Sequence, residues 1–266
     1  MKNRVKWYTI PYYLWIALFV IAPVALIVYY SFFDIEGNFT LVNYQKFFAP
    51  VYIKMTLNSF WYAFLITLFS LLIAYPTAYF LTKTKHKQLW LLLIILPSWI
   101  NLLLKAYAFL GIFGTYGAAN EMMEFIGMNK QQILFTDFSF LFVSVYIFIP
   151  FMILPIFNSL EKMSGSLLDA SQDLGASPWV TFKRVIFPLT IDGVKSGCQA
   201  VFIPALSLFM ITRLIAGNRV ITLGTAIEQH FLITQDWGMG STIAVFLIIV
   251  MILIMILTGS KRREHK

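Results

Sequence analysis

The sequence predicts an all-α integral membrane protein with six membrane-spanning helices, and three observations carry that reading. Hydrophobic residues make up 59% of the 266 and charged residues only 12%, with a mean hydropathy of +0.78. Soluble domains carry about a quarter charged residues. The apolar residues are gathered in blocks that match the roughly 20 residues a helix needs to cross a hydrocarbon core. Lysine and arginine, finally, gather in alternate connections between those blocks. The length suits one helical bundle, a single transmembrane domain over residues 1–266, with no room for a second soluble domain.

The first block, 12–33, follows Lys2, Arg4 and Lys6 and so imitates a signal peptide. It is longer than the roughly 7–15 apolar residues of a signal core, and no clear small-x-small cleavage site ends it, so an uncleaved first span is expected. Trp7, Tyr8, Tyr12, Tyr13 and Trp15 at its start fit an interfacial aromatic belt. The remaining blocks are 57–81, 89–113, 138–160, 194–214 and 241–258. Six such helices could not all be covered by the rest of a soluble chain. Pro23, Pro76, Pro97, Pro150, Pro155 and Pro204 fall within the spans. Their freed backbone groups must be satisfied by neighbours or by a wet cavity, which suits kinked helices around a pathway as well as ordinary tolerance of proline in membranes.

Six spans put both termini on one side. With the termini inside, the inner segments hold fourteen basic residues: Lys2, Arg4, Lys6, Lys83, Lys85, Lys87, Lys162, Lys183, Arg184, Lys195 and four in the C-terminal tail. The outer segments hold five, namely Lys46, Lys54, Lys130, Arg213 and Arg219. The positive-inside rule therefore places both termini in the cytoplasm. The same distribution accounts for the net charge of +8 without any nucleic acid. One cysteine, Cys198, excludes an internal disulfide and any multi-cysteine metal site, and reads as a small core residue.

The inner connection 161–193 is unusually long and its residues are patterned. Ser166 and Asp169 form an S-x-x-D capping pattern that predicts a short helix over 167–174. Gly175 can end that helix at φ > 0. Ser177-Pro178 then starts another, with serine as N-cap and proline at the first helical position. A helix–turn–helix on the cytoplasmic face follows. Asp169-Ala170-Ser171-x-x-x-Gly175, nine further residues, and Val185-x-Phe187-Pro188 resemble the EAA-x3-G-x9-I-x-L-P signature of ABC importer permeases, with spacing kept throughout. The resemblance implies the type I importer (MetI-like) architecture. It also implies a short helix that docks in a groove of a separate ATPase, with Ser166, Leu168, Asp169, Ala170, Ser171, Leu174, Gly175, Ala176 and Ser177 at the contact.

Other stretches are similar to the B permease subunits of spermidine/putrescine importers. These are Leu96-Pro97-Ser98-Trp99 with Tyr107, Pro150-Phe151-Met152-x-x-Pro155, Ser159-Leu160-Glu161-Lys162, Asp173-Leu174-Gly175-Ala176-Ser177, Pro188-Leu189-Thr190 and Asp236-Trp237-x-x-Gly240. That likeness implies four partners: a second permease subunit, an ATPase dimer, an extracytoplasmic substrate-binding protein and the lipid bilayer of the bacterial inner membrane. It implies no cofactor on this chain, since ATP belongs to the ATPase. Trp99, Lys105 and Tyr107 are the candidate pathway residues. A polyamine wants carboxylates or aromatic faces, yet no span holds an acid and the one intramembrane charge, Lys105, has the wrong sign. Arg213 also stands where an acid would suit a cation. The partner permease could supply the carboxylates, and related permeases for sulfate, iron or another cation share much of the signature, so those solutes stay open.

Two other classes fit less well. Secondary transporters couple ions through buried carboxylates or histidines, whereas His86, His230 and His265 lie in loops or tails. A membrane enzyme finds no G-x-S-x-G, H-E-x-x-H or paired intramembrane acids, and no phosphate-binding G-x-x-x-x-G-K-[ST] occurs.

Overall fold

The computed structural model describes residues 2–217 and 219–259, with side chains from residue 9 onward. The side chains of Lys2, Arg4, Lys6, Trp7 and Tyr8 and the basic residues of the C-terminal tail lie outside what is described. The helices are α1 (Lys2–Ile16), α2 (Ala22–Tyr30), α3 (Val42–Phe47), α4 (Pro50–Thr82), α5 (Lys87–Ile95), α6 (Leu102–Phe113) and α7 (Ala118–Phe125). They continue as α8 (Asp137–Glu161), α9 (Gly165–Asp173), α10 (Pro178–Thr181), α11 (Phe187–Leu206), α12 (Met210–Ile215), α13 (Leu223–Glu228) and α14 (Trp237–Thr258). Among the described residues an isolated bridge between Phe33 and Phe39 is the one β feature.

Among the described residues, five helical segments are long and apolar enough to cross a membrane: Thr9–Tyr30, Pro50–Thr82, Leu102–Phe125, Asp137–Glu161 and Trp237–Thr258. Two predicted spans are reshaped. The third, 89–113, is not one helix. Pro97 has no N–H to continue the ladder, so the chain tightens into a 3-10 turn at Leu96–Trp99 and turns extended at Ile100. It restarts where Asn101 accepts a hydrogen bond from the Leu103 N–H. The fifth, 194–214, begins earlier, at Phe187, and breaks after Leu206, just beyond Pro204. Its first half carries Asp192 and Lys195, too polar for a lipid-facing helix, and α11 packs instead between α4 and α8.

Those three helices form the centre. α11 runs antiparallel to α8, and glycine sets how close they come. A Cβ on Gly193 would stand 2.5 Å from the Ser159 Cβ and 2.8 Å from the Pro155 carbonyl oxygen, and one on Gly197 would stand 2.7 Å from the Met152 sulfur. Gly193, Gly197, Val201 and Ala205 make one buried stripe at four-residue spacing, the small-residue face that lets membrane helices pack closely. Where no close neighbour covers a helix, apolar side chains face outward, as along the first span, where Tyr12, Tyr13 and Trp15 are exposed. Cys198 is a free, half-buried thiol on α11.

Two prolines are accommodated by widening the helix ahead of them. A π turn at Ala17–Ile21 precedes Pro23, and another at Phe182–Ile186 precedes Pro188. In each case the carbonyl four residues before the proline, of Phe19 or Arg184, lies within the π turn, so its clash with the ring is relieved.

Candidate functional site

The connection from α8 to α11 folds as two short helices with a fixed angle between them. Ser164, rather than Ser166, occupies the N-cap of α9 and makes no side-chain cap. The expected Ser166–Asp169 capping pattern is therefore not used: the Ser166 hydroxyl bonds the Ser164 hydroxyl at 2.6 Å. The end of α9 matches expectation. Gly175 sits at φ +73, the Gly175 N–H donates to the Gln172 carbonyl at 2.8 Å and the Ala176 N–H to the Ser171 carbonyl at 3.1 Å. These are the two bonds of a Schellman stop. Ser177 then caps α10, accepting from the Val180 N–H, with Pro178 in the first turn.

A buried hydrogen bond between the Ser171 and Thr181 hydroxyls, 2.5 Å, ties α9 to α10. With both ends of the turn held, the segment can transmit a push instead of absorbing it. It carries exposed apolar side chains: Leu174 is 88% and Trp179 69% exposed, and Leu167 is exposed as well. Ser166, Asp169, Ala170, Gly175 and Ser177 are also exposed, whereas Leu168 is half-buried against the core and Ser171 is buried. The expected contact set thus divides into a free face and an anchoring face.

An aromatic chain that the sequence did not announce leads inward from this surface. Trp179 stacks on Phe182 at 5.6 Å, Phe182 meets the edge of Tyr75 at 5.6 Å, and Tyr75 touches Phe187 at 6.0 Å. The Tyr75 hydroxyl bonds Thr190 at 2.8 Å. The connection is thereby joined to α4 and α11, two of the central helices. At the same end, Lys87 and Glu161 form an ion pair at 2.7 Å between α5 and α8.

The three candidate pathway residues do not converge. Lys105 is buried, beside a cavity of about 170 Å³ lined by Ile94, Pro97, Ser98, Tyr146 and Pro150. Among the described residues no ion pair reaches it. The lysine therefore does not snorkel to a surface. Tyr107, two residues on and so about 200° around the helix, is exposed, as is Trp99 at the end of the 3-10 turn. Arg213 is not a free charge either: Glu228 holds it at 2.7 Å. That pair spans 15 residues across a loop, with no helical spacing to reveal it in the sequence.

No protein-family profile matches the chain. Curated relatives do. The spermidine/putrescine transport system permease protein PotB of Escherichia coli (strain K12) is 37% identical over 247 residues, 89% of this chain and 90% of that protein. The chain belongs to the ABC importer permease family. It falls with the PotB permeases: that of Haemophilus influenzae is 36% identical over 250 residues, covering 90% of this chain and 87% of its own. The inner membrane ABC transporter permease protein YdcU of E. coli is 30% identical over 70% of this chain and 66% of that protein. The fold agrees. A permease chain from a bacterial ABC transporter that imports the acidic polysaccharide alginate superposes with a TM-score of 0.78 at 14% identity, covering 96% of this chain and 93% of that one. This family member is accordingly an all-α, multi-pass protein of the inner membrane, a transport subunit and not an enzyme.

Proposed function

We propose that this chain forms half of the translocation pathway of an ATP-driven polyamine importer, with a second, different permease subunit forming the other half. The observation that carries the substrate is the 36–37% identity to spermidine/putrescine permeases along nine-tenths of both chains. The local chemistry supports it. Arg213 is paired with Glu228, and Lys105 is buried beside residues of α8, so neither offers an exposed, unpaired positive charge to a passing cation. Trp99 and Tyr107 are left exposed on this chain and can offer π faces to an ammonium once a partner encloses them.

The segment 161–193 faces the cytoplasm in this reading, as the basic residues require. Its free apolar face, Leu174 and Trp179 above all, docks on an ATPase dimer that alone binds ATP. Closure of that dimer pushes on α9, and the chain Trp179–Phe182–Tyr75–Phe187 passes the movement to α4 and α11. A loaded extracytoplasmic binding protein docks at the other end, over 34–56, 114–137 and 215–239.

The test is uptake of labelled spermidine and labelled sulfate by cells expressing the full complex at matched levels. Trp99→Ala should lower spermidine uptake several-fold, and Trp99→Phe should retain more because a weaker π face remains. Lys105→Met should be tolerated, since it keeps the volume and removes a buried charge. Sulfate uptake that depends on Lys105 and ignores Trp99 would reverse the assignment.

A further inference from the structure

At the end of the bundle opposite the 161–193 connection, the first and last spans meet around a cavity of about 530 Å³. Four of its walls are aromatic: Tyr29, Tyr30, Phe33 and Trp237. Tyr29 lies 4.6 Å from Phe33, and Tyr30 lies 5.9 Å from Trp237, both pairs tilted, so the four rings form two contacting pairs at the cavity wall. The rest of the lining is Ile35, Gly37, Gln235, Gly238 and one carboxylate, Asp34. No lysine or arginine lines the cavity.

The site is held rigidly. The Asn43 side chain donates to the Phe33 carbonyl at 2.8 Å, and Thr242 donates to the Ser31 carbonyl at 3.2 Å. Ser31 and Tyr44 share a hydrogen bond at 2.7 Å. Gly238 is pressed against the Phe33 carbonyl so closely that any Cβ would collide. Within the loop, Oδ1 of Asp34 accepts from the backbone N–H groups of Glu36 at 3.0 Å and Asn38 at 2.8 Å. Those bonds, that from Asn38 foremost, hold the carboxyl below its usual range, so it stays ionised. Oδ2 has one long contact, 3.4 Å from the Asn38 amide, and is left with acceptor capacity.

A half-open aromatic recess with one carboxylate and no cation among its lining residues has the chemistry that recognises an organic ammonium. Tyrosine and tryptophan at a membrane interface also occur without any ligand, but a belt needs neither the recess nor the acid. We infer that this cavity binds a primary alkylammonium group, from a free di- or polyamine or from the ethanolamine headgroup of a lipid. The inference concerns a site separate from the translocation residues and stands whether or not the bound amine is the transported one.

The test uses the whole importer complex, without binding protein, in an uncharged maltoside detergent with 5-fluorotryptophan incorporated. The ¹⁹F resonance missing from Trp237→Phe is that of Trp237. Putrescine should shift it saturably, and 1,4-butanediol, the neutral isostere, should not. Asp34→Asn keeps an oxygen for the Glu36 and Asn38 N–H groups and so keeps the loop. It should raise the putrescine concentration needed at least tenfold. In nanodiscs containing phosphatidylethanolamine, a resonance already shifted and unmoved by putrescine assigns the site to the lipid headgroup, whereas one that still responds assigns it to the free amine. A resonance indifferent to putrescine both in detergent and in Asp34→Asn, or an equal response to butanediol, overturns the inference. Uptake plays no part in the readout, so that failure would leave the transport reading untouched.

Discussion

His230 shows how one residue can fasten several elements. Its Nε2 meets the Tyr52 hydroxyl at 2.9 Å, and its Nδ1 lies 3.4 Å from the Thr234 hydroxyl and 3.9 Å from the Asp236 carboxylate, which itself caps α14. Burial pushes the imidazole below its ordinary range, and Asp236 opposes that shift without cancelling it. The folded state thus prefers neutral His230. Stability is complete above the ordinary histidine pKa and falls as pH drops through it, because the unfolded chain takes up the proton first. The slope from one such group is at most about 1.4 kcal/mol per pH unit. Thermal unfolding of the purified complex between about pH 7 and 5 should therefore steepen with acid in the wild type and flatten in His230→Gln. Parallel profiles would show that His230 carries none of the acid sensitivity. At this scale the sequence was legible where backbone geometry dictates a residue type. Gly175 could be read because few residues but glycine accept φ +73. Ser166 was misread because two serines, 164 and 166, compete for one helix start, and the pattern does not say which turn comes first.

Among the elements, the crossing of α8 and α11 depends on absent side chains more than on present ones. Gly193 faces backbone at 2.8 Å and a short Ser159 side chain that cannot retreat, whereas the nearest atom to Gly197 is the Met152 sulfur, with the Met152 carbonyl oxygen further off at 3.2 Å. Gly193→Leu should lose the folded protein, and Gly193→Ala should destabilise it by about 1–3 kcal/mol through overpacking. Gly197→Ala should cost less, because the Met152 sulfur can swing away. Thermal scanning in detergent separates the three, and equal midpoints for the two alanine variants would contradict the packing described. This contact needed the fold, since nothing in the sequence says which helix Gly193 and Gly197 pack against. Span boundaries were less legible for a physical reason. Apolar blocks report what lipid tolerates: the 3-10 break at Leu96–Trp99 lies inside an apolar block, while the polar start of α11 reads like part of the loop before it.

For the whole molecule, the bilayer explains what the isolated chain leaves exposed, and charge asymmetry supplies a direction. Single cysteines in a Cys198→Ala background should be shielded from an impermeant thiol reagent in intact cells at position 87 and within 161–193, and should react within 114–137. Rapid labelling at position 87 would invert the orientation. The all-α class could be read from the apolar blocks, the connection that carries the Gly175 turn from its capping pattern, and the permease family from the resemblance of that connection to the family's signature. The pairing of Arg213 with Glu228 and the aromatic chain behind Trp179 needed the fold, because each joins residues whose separation follows no period.

The central claim is that ATP hydrolysed on a partner drives a polyamine past this chain by way of the Gly175 turn. Purified complex in proteoliposomes, with binding protein and ATP, measures it directly. The wild type should accumulate labelled spermidine only with ATP present. Gly175→Asp should assemble at normal level, since no neighbour lies within 4 Å of that Cβ position, yet should lose accumulation because the turn no longer favours φ > 0. ATP-driven spermidine accumulation unchanged in Gly175→Asp would contradict the coupling account, and no accumulation by the wild-type complex would contradict the substrate.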